Sequence, residues 1–414
     1  MFRDGRKLAW PSEDRLSLER NAMDLRAKCA IAGLGQTRMG KNFDHPNAMG
    51  FAIEAIQLAL DDAGLKREDL DGLLVNPGIT WADNTMASFS LQQAMGLRDL
   101  RLSATMGLGG ATAAAMIMHA AQSIALGMAN TVACVFADAP LKPPAPRDAK
   151  GGGGGGSAAA YGFARGLNAA YGQFGVNAHY AFVARRHMDL YGTTQDQLGA
   201  IAVQQRKWAN QNNEAQFHDA PMTMEDYRAS RWVVEPFHLY DCCLVSNGGC
   251  AVIVTSAERA KSLKKPPVYL LGMGQGHPGG DPIDTLLSGA PIAKETAFKM
   301  ADIKLGDLQF AQLYDCYTFT VLVTLEDYGF CKKGEGGPFV ADGKTGPGGS
   351  IPVNTGGGQL SSFYMWGMTP ISEAVIQTRG EGGKRQLAKH ELGLVSGNGG
   401  ILSTHSSLVV ASHP

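Results

Sequence analysis

Apolar residues fill Ala30-Ile31-Ala32-Gly33-Leu34 without a break and stop at Gly35-Gln36, which predicts a buried strand ending in a glycine turn. Over Ala48–Ala63 they recur at helical spacing, and Gly64 follows in the C-cap position, so a helix is predicted there. Residues 70–75 read as a second short strand. The stretch 102–137 contains no Asp, Glu, Lys or Arg. Its length admits a membrane span, but Gly107, Gly109, Gly110, His119, Gln122 and Asn130 interrupt it. A buried helix beginning near Gly109, followed by a buried strand, accounts for it better. Strand and helix patterns that alternate in this way predict an α/β fold.

The pattern then repeats. Leu271-Gly272-Met273-Gly274-Gln275 echoes Ala32-Gly33-Leu34-Gly35-Gln36, another helical segment follows at 291–301, and Asp307-Leu308 repeats Asp69-Leu70 ahead of an apolar strand at 310–314. Two echoes at nearly one offset indicate two halves built on one plan. Each half is expected to hold a central mixed sheet, and the two to pack through shared buried helices. The expected units are 28–138 with 241–260, an insertion over 139–240, and 266–414. The insertion opens with a proline-rich loop (139–146) and a glycine run (151–156), then carries helical periodicity over 174–191 and 195–212. It reads as a lid over a ligand or as a solvated helical face.

Charge and cysteine content narrow the function classes. The 414 residues hold 37 Lys+Arg against 38 Asp+Glu, a formal net charge of −1, so no basic surface for nucleic acid or membrane is expected. Seven cysteines without a C-x-x-C spacing argue against a zinc knuckle or a disulfide framework and fit a reducing cytoplasm. Residues 1–20 show no apolar signal region. Gly33-x-Gly35 lacks the third glycine of a dinucleotide fingerprint, because Arg38 stands there. Gly343-Lys344-Thr345 lacks the first glycine of a phosphate loop, with Pro338 in its place. No G-x-S-x-G elbow occurs, and the histidines show no ligand spacing, so no metal is expected.

Four segments set polar or aromatic residues among glycines: Thr105-Met106-Gly107-Leu108-Gly109-Gly110, Tyr314-Asp315-Cys316-Tyr317, the run from Gly356 to Tyr364, and Ser396-Gly397-Asn398-Gly399-Gly400. Each follows or lies inside a strand-like stretch, where α/β proteins place ligands. In this order, and with Asp241-Cys242-Cys243-Leu244-Val245-Ser246-Asn247-Gly248-Gly249-Cys250 between them, they resemble the thiolase superfamily from about Lys28 to Ser412. The resemblance implies a thiolase-like α/β fold of two duplicated αβαβα halves with an inserted loop domain. Thiolases place a nucleophilic Cys, two His and a second Cys where this chain has Met106, Tyr314, Tyr364 and Ser396. That exchange, and the run Leu325-Glu326-Asp327-Tyr328-Gly329-Phe330-Cys331, resemble the thiolase-like aldolases that cleave steroid side chains as CoA thioesters.

The resemblance implies retro-aldol cleavage of a 3-hydroxyacyl-CoA. A thiolase needs a thiolate to carry its acyl group; a retro-aldol needs only a base and a site for the enolate oxygen. Tyr314 and Tyr364 are the candidate acid–base pair. Met106, Gly107, Ser396, Asn398 and Gly399 are candidates for holding the substrate and the oxyanion. A free phenol has a pKa near ~10, so ionising it at pH 7 costs about 4 kcal/mol, and a second phenol lowers that cost by hydrogen bonding. Both tyrosines lining a pocket without chemistry is the plainer reading of the same residues. The other readings are a thiolase or acyltransferase using Cys316, with Cys134 a poorer choice, and a non-catalytic acyl-CoA-binding subunit. Also implied are a homodimer, a small OB-fold partner that often carries a zinc ribbon, a cytoplasmic location, and coenzyme A present only as part of the substrate.

Overall fold

The structure is a computed structural model that describes residues 25–143 and 175–414. The expectations for residues 1–20, for the end of the proline-rich loop and for the glycine run 151–156 lie outside the described residues.

The described residues form eleven strands: β1 (Cys29–Gln36), β2 (Gly72–Pro77), β3 (Leu102–Thr105), β4 (Thr131–Asp138), β5 (Trp232–Val234), β6 (Phe237–His238), β7 (Gly248–Ser256), β8 (Val268–Gly276), β9 (Phe310–Leu313), β10 (Leu392–Gly399) and β11 (Thr404–Ala411). Nine of them form one mixed sheet in the order β3-β2-β4-β7-β1-β8-β11-β10-β9, while β5 and β6 pair apart from it. About the β1–β8 seam the order is palindromic. β1 matches β8, β7 matches β11, β4 matches β10 and β2 matches β9, and the counterpart of β3 shrinks to a single bridge between Ala311 and Val353. The echoed segments thus occupy equivalent strands. Where two separate sheets were expected, they are continuous, joined by two antiparallel pairs, Ala30 with Tyr269 and Ile31 with Val268. The right-handed twist of strands lets such a contact persist only briefly before the edges diverge.

Helix α1 (Ala48–Ala63) lies on β1, β4 and β7. It begins at Asn47, whose side chain accepts from Gly50 N, and ends at left-handed Gly64. The repeated glycines are packing residues. A Cβ on Gly33 or Gly35 would stand 2.1 Å from the carbonyl oxygens of Ala59 and Ala55 of α1. In the second half, a Cβ on Gly272 or Gly274 would stand 2.0 and 2.1 Å from those of Ala297 and Ala293. The motif therefore marks close backbone approach between strand and helix rather than a ligand loop.

The uncharged stretch contains α2 (Thr112–Ala125), which starts three residues after Gly109. It is buried along nearly its whole length and touches strands of both halves, including β7 and β10. No helix among the described residues is long and apolar enough to cross a membrane. The inserted helices α3 (Gly175–Tyr191) and α4 (Gln195–Ala209) join the second half. The longer helices of that half are α5 (Ala290–Ala301), packed on β8 as α1 is on β1; α6 (Thr318–Tyr328), against α4; and α7 (Met368–Thr378), against α2 and β10. His187 of α3 and Glu326 of α6 meet at 3.0 Å with both side chains fully buried. Burial alone would push the Glu326 carboxyl up, but His187 and Lys333 hold it below its ordinary range.

Candidate active site

The loop after β3 and the end of β10 meet backbone to backbone, and glycine permits it. Gly110 lies so close that a Cβ there would fall 2.1 Å from the ring of Tyr314 and 2.4 Å from the carbonyl oxygen of Asn398. Gly399 in turn sits against the Leu108 carbonyl, 2.0 Å from where its Cβ would be. Thr112 Oγ1 accepts from Leu108 N at 2.7 Å and donates to Gly109 O at 2.6 Å, while Thr404 Oγ1 donates to Leu108 O at 3.1 Å. The turn is held from both halves of the molecule. Met106, partly buried at its start, donates N–H to Val75 O (2.9 Å) and accepts from Asn76 Nδ2 (3.2 Å). A Cβ at Gly107 would meet nothing within 4 Å among the described residues.

Tyr314 is the first residue beyond β9 and is buried. Its N–H donates to Ser396 O at 3.0 Å, and its carbonyl accepts from Thr320 Oγ1 at 3.1 Å. Tyr364 follows the single helical turn Gly358–Ser361, and its N–H donates to Ser246 Oγ at 3.1 Å. The two phenol oxygens stand 3.1 Å apart, within hydrogen-bonding distance. The structure thus brings together Tyr314, Tyr364, the glycine turn entered by Met106 and Gly107, Asn398 and Gly399. It places Ser396 differently. Its hydroxyl is fully buried and lies 2.9 Å from His405 Nε2, while its carbonyl accepts from Tyr314 N. Both side-chain amide atoms of Asn398 are buried without a hydrogen-bond partner among the described residues, an arrangement that costs stability unless a ligand or water satisfies it.

Three groups escaped sequence reasoning. Asp315, 1% exposed, receives the backbone N–H groups of Gln359 (3.0 and 2.9 Å) and Leu360 (3.3 Å). Its signals were its place in the segment Tyr314-Asp315-Cys316-Tyr317 and an acid at the end of an apolar strand, and neither assigned it a role. His405 lies between the hydroxyls of Ser396 and Tyr328, and burial pushes its pKa down to about 3, so it is neutral. Asp241 accepts from Tyr227 Oη (2.8 Å), Thr318 Oγ1 (2.5 Å) and His238 N (2.7 Å), which ties the loop before β7 to the start of α6. Burial raises it to about 6 despite those bonds.

Cys316, the alternative nucleophile, is 5% exposed, and burial pushes its thiol well up. Tyr180 and Tyr317 pack beside it, with ring centroids 4.7 Å apart. A thiolate there would lack the stabilising charge that reactive cysteines have.

The thiolase C-terminal domain-like family matches residues 281–412. A steroid side-chain-cleaving aldolase of Thermomonospora curvata is 36% identical over 366 residues, 85% of this chain and 90% of that protein. The 17-hydroxy-3-oxo-4-pregnene-20-carboxyl-CoA lyase of Mycobacterium tuberculosis is 35% identical over 374 residues, 86% of this chain and 92% of that one. Among solved structures, the Ltp2-ChsH2(DUF35) aldolase superposes with a TM-score of 0.83 at 33% identity, covering 94% of this chain and 100% of that one. With its palindromic sheet and this extent of identity, the chain belongs to the thiolase superfamily, in the branch of the thiolase-like acyl-CoA aldolases.

Proposed function

We propose that the chain is a carbon–carbon lyase that cleaves a 3-hydroxyacyl-CoA thioester by retro-aldol chemistry, with Tyr314 and Tyr364 as its acid–base pair. The observation that carries this reading is the 3.1 Å contact between the two phenol oxygens beside a turn built of glycines. Tyr364, the less buried of the two, acts as the phenolate, which Tyr314 stabilises by donating to it; Tyr364 takes the proton of the β-hydroxyl and becomes the neutral phenol. The Cα–Cβ bond breaks, a ketone or aldehyde leaves, and its electron pair passes to the thioester carbonyl as an enolate. N–H groups of the Gly107–Gly110 turn, with Asn398 and Gly399, are the proposed donors to that oxygen. Protonation at Cα then releases acetyl-CoA or propionyl-CoA. Met106 and Ser396 complete the proposed substrate-binding set, Ser396 through its backbone.

The names of the relatives favour a steroid or another bulky body for the cleaved acyl chain. The DUF35 component of the solved aldolase favours a partner of that kind here, read as a small OB-fold protein whose zinc ribbon, where present, holds its own metal. Edge strand β3 pairs only with β2 among the described residues, which leaves a side for a homodimer. A cytoplasmic location and the unit boundaries 28–138 with 241–260, 139–240 and 266–414 belong to the same reading. A panel of 3-hydroxyacyl-CoAs assayed for carbonyl release tests it. Release of CoA-dependent cleavage products from a β-ketoacyl thioester, with no carbonyl from the hydroxy substrates, would establish the thiolase reading instead.

A further inference from the structure

Tyr314 and Tyr364 are 50 residues apart in sequence, and their contact depends on how two loops are held against each other. Several side chains tie the two segments together: Leu313 N donates to Asn354 Oδ1 at 2.7 Å, Gln312 Nε2 donates to Thr355 Oγ1 at 2.9 Å, and next to Tyr314 itself stands Asp315. Its carboxylate receives the N–H groups of Gln359 and Leu360, at the start of the turn that leads into Tyr364. Gly358 makes room for this contact: its φ is +61°, and a Cβ there would stand 2.1 Å from Asp315 Oδ2. Gln359 continues the link by donating Nε2 to Trp366 O at 2.6 Å, two residues past Tyr364. We infer that Asp315 is a positioning residue for the reaction: through the amides of Gln359 and Leu360 it sets the separation of the two phenols. The inference rests on the retro-aldol reading above.

Behind the loops lies a cavity of about 40 Å³ lined by Asp315, Asn354, Ser362, Phe363 and Glu373, among others. That is room for water beside the carboxylate of Asp315. Asp315 can therefore exchange a proton without the loops opening. Burial pushes its carboxyl up to about 7, against the bonds from Gln359, Leu360 and Asn354. The other groups facing it are the thiols of Cys316 and Cys243, which burial keeps neutral, and, across the cavity, Glu214 and the Glu373–Arg385 ion pair. The anion accepts amides better than the acid, so the linked form gains population as pH rises through neutrality.

The test compares wild type with Asp315→Asn, which keeps the shape and loses the charge, and with Gly358→Ala, which crowds the carboxylate from the opposite side. Both should lower kcat by about 10- to 100-fold, the scale on which small misplacements of reacting groups act, with KM within about twofold. Asp315→Asn should also remove the limb of the kcat–pH profile that rises near pH 7. If Asp315→Asn does not fold, Gly358→Ala decides by its kcat alone. Wild-type kcat in whichever variants fold, or an unchanged pH limb in Asp315→Asn, overturns the inference. Tyr364→Phe run alongside separates the two ideas: if it loses turnover while the loop variants keep it, the aldolase reading stands and the role of Asp315 falls. If Tyr364→Phe retains turnover, the aldolase reading itself has failed.

Discussion

The two halves of the molecule keep the same packing and differ in what they bring to the site. β1 with α1 and β8 with α5 use the same device, alternate glycines in the strand pressed onto helix carbonyls at 2.0 to 2.1 Å from the Cβ position. Beyond the equivalent strands β2 and β9 the halves part. The first half closes β2 with Asn76-Pro77 and later supplies a glycine turn, which is to say backbone. The second half supplies side chains: Tyr314, Asp315, Tyr364 and Asn398. The two inserted helices add to this asymmetry by packing on the second half, where the buried His187–Glu326 contact fixes α3 to α6. The duplicated framework carries stability, and the proposed chemistry sits where the duplication has been lost.

The largest effect should come from breaking that fixation. Glu326→Ala removes the buried carboxylate that meets His187 Nε2, Lys333 Nζ and Gly336 N and should cost about 3–5 kcal/mol, read as a lowered denaturation midpoint with an unchanged slope. Next are the side chains proposed for chemistry. Tyr364→Phe and Tyr314→Phe should each lower kcat by about 10² or more and leave binding of a CoA thioester near wild type, because the ring remains. The double variant should lose little more than either single one, since the two phenols share one proton.

Gly35→Ala and Gly274→Ala sharpen the comparison from the other direction. Each overpacks a strand–helix contact and should destabilise by about 1–3 kcal/mol, by equal amounts if the halves are equivalent in packing. A denaturation series in which one is neutral would break the equivalence. The smallest effect is expected at Cys316→Ala, which should keep kcat within about twofold and lose about 1 kcal/mol of stability from the small cavity. If it abolishes turnover while both Phe variants keep it, the chemistry is thiolytic.

Much of the framework was legible in the chain. Apolar runs and helical spacing located β1, α1 and the buried α2, and the glycine echo disclosed the duplication. The reason for the echo was not legible, since a Gly-x-Gly says nothing of which backbone lies against it. The tyrosines were found by resemblance, but their contact spans 50 residues and depends on the turn at Gly358, which no local pattern reports. Asp315 and His405 were missed for a related reason. Their roles come from partners on distant strands and turns, and burial, which shifts their proton affinity, is a property of the folded molecule. Ser396 was singled out for its place in a glycine-rich segment, and the sequence could not show that its hydroxyl is committed to His405.

The place of β7 has a consequence for how the chain assembles. It lies between β1 and β4 and pairs antiparallel with both, from Cys250 to Ser256 against β1 and from Gly248 to Thr255 against β4. Yet in sequence it comes only after the whole inserted segment. During synthesis the first half therefore waits with two long apolar strand edges open, a state prone to pairing with other chains. Closing so long a loop adds little free energy, because the entropic cost grows only with the logarithm of its length; the delay is one of time. A nascent chain halted before Gly248 should be captured by chaperones or aggregate, and one extended past Ser256 should become resistant to protease through its first half.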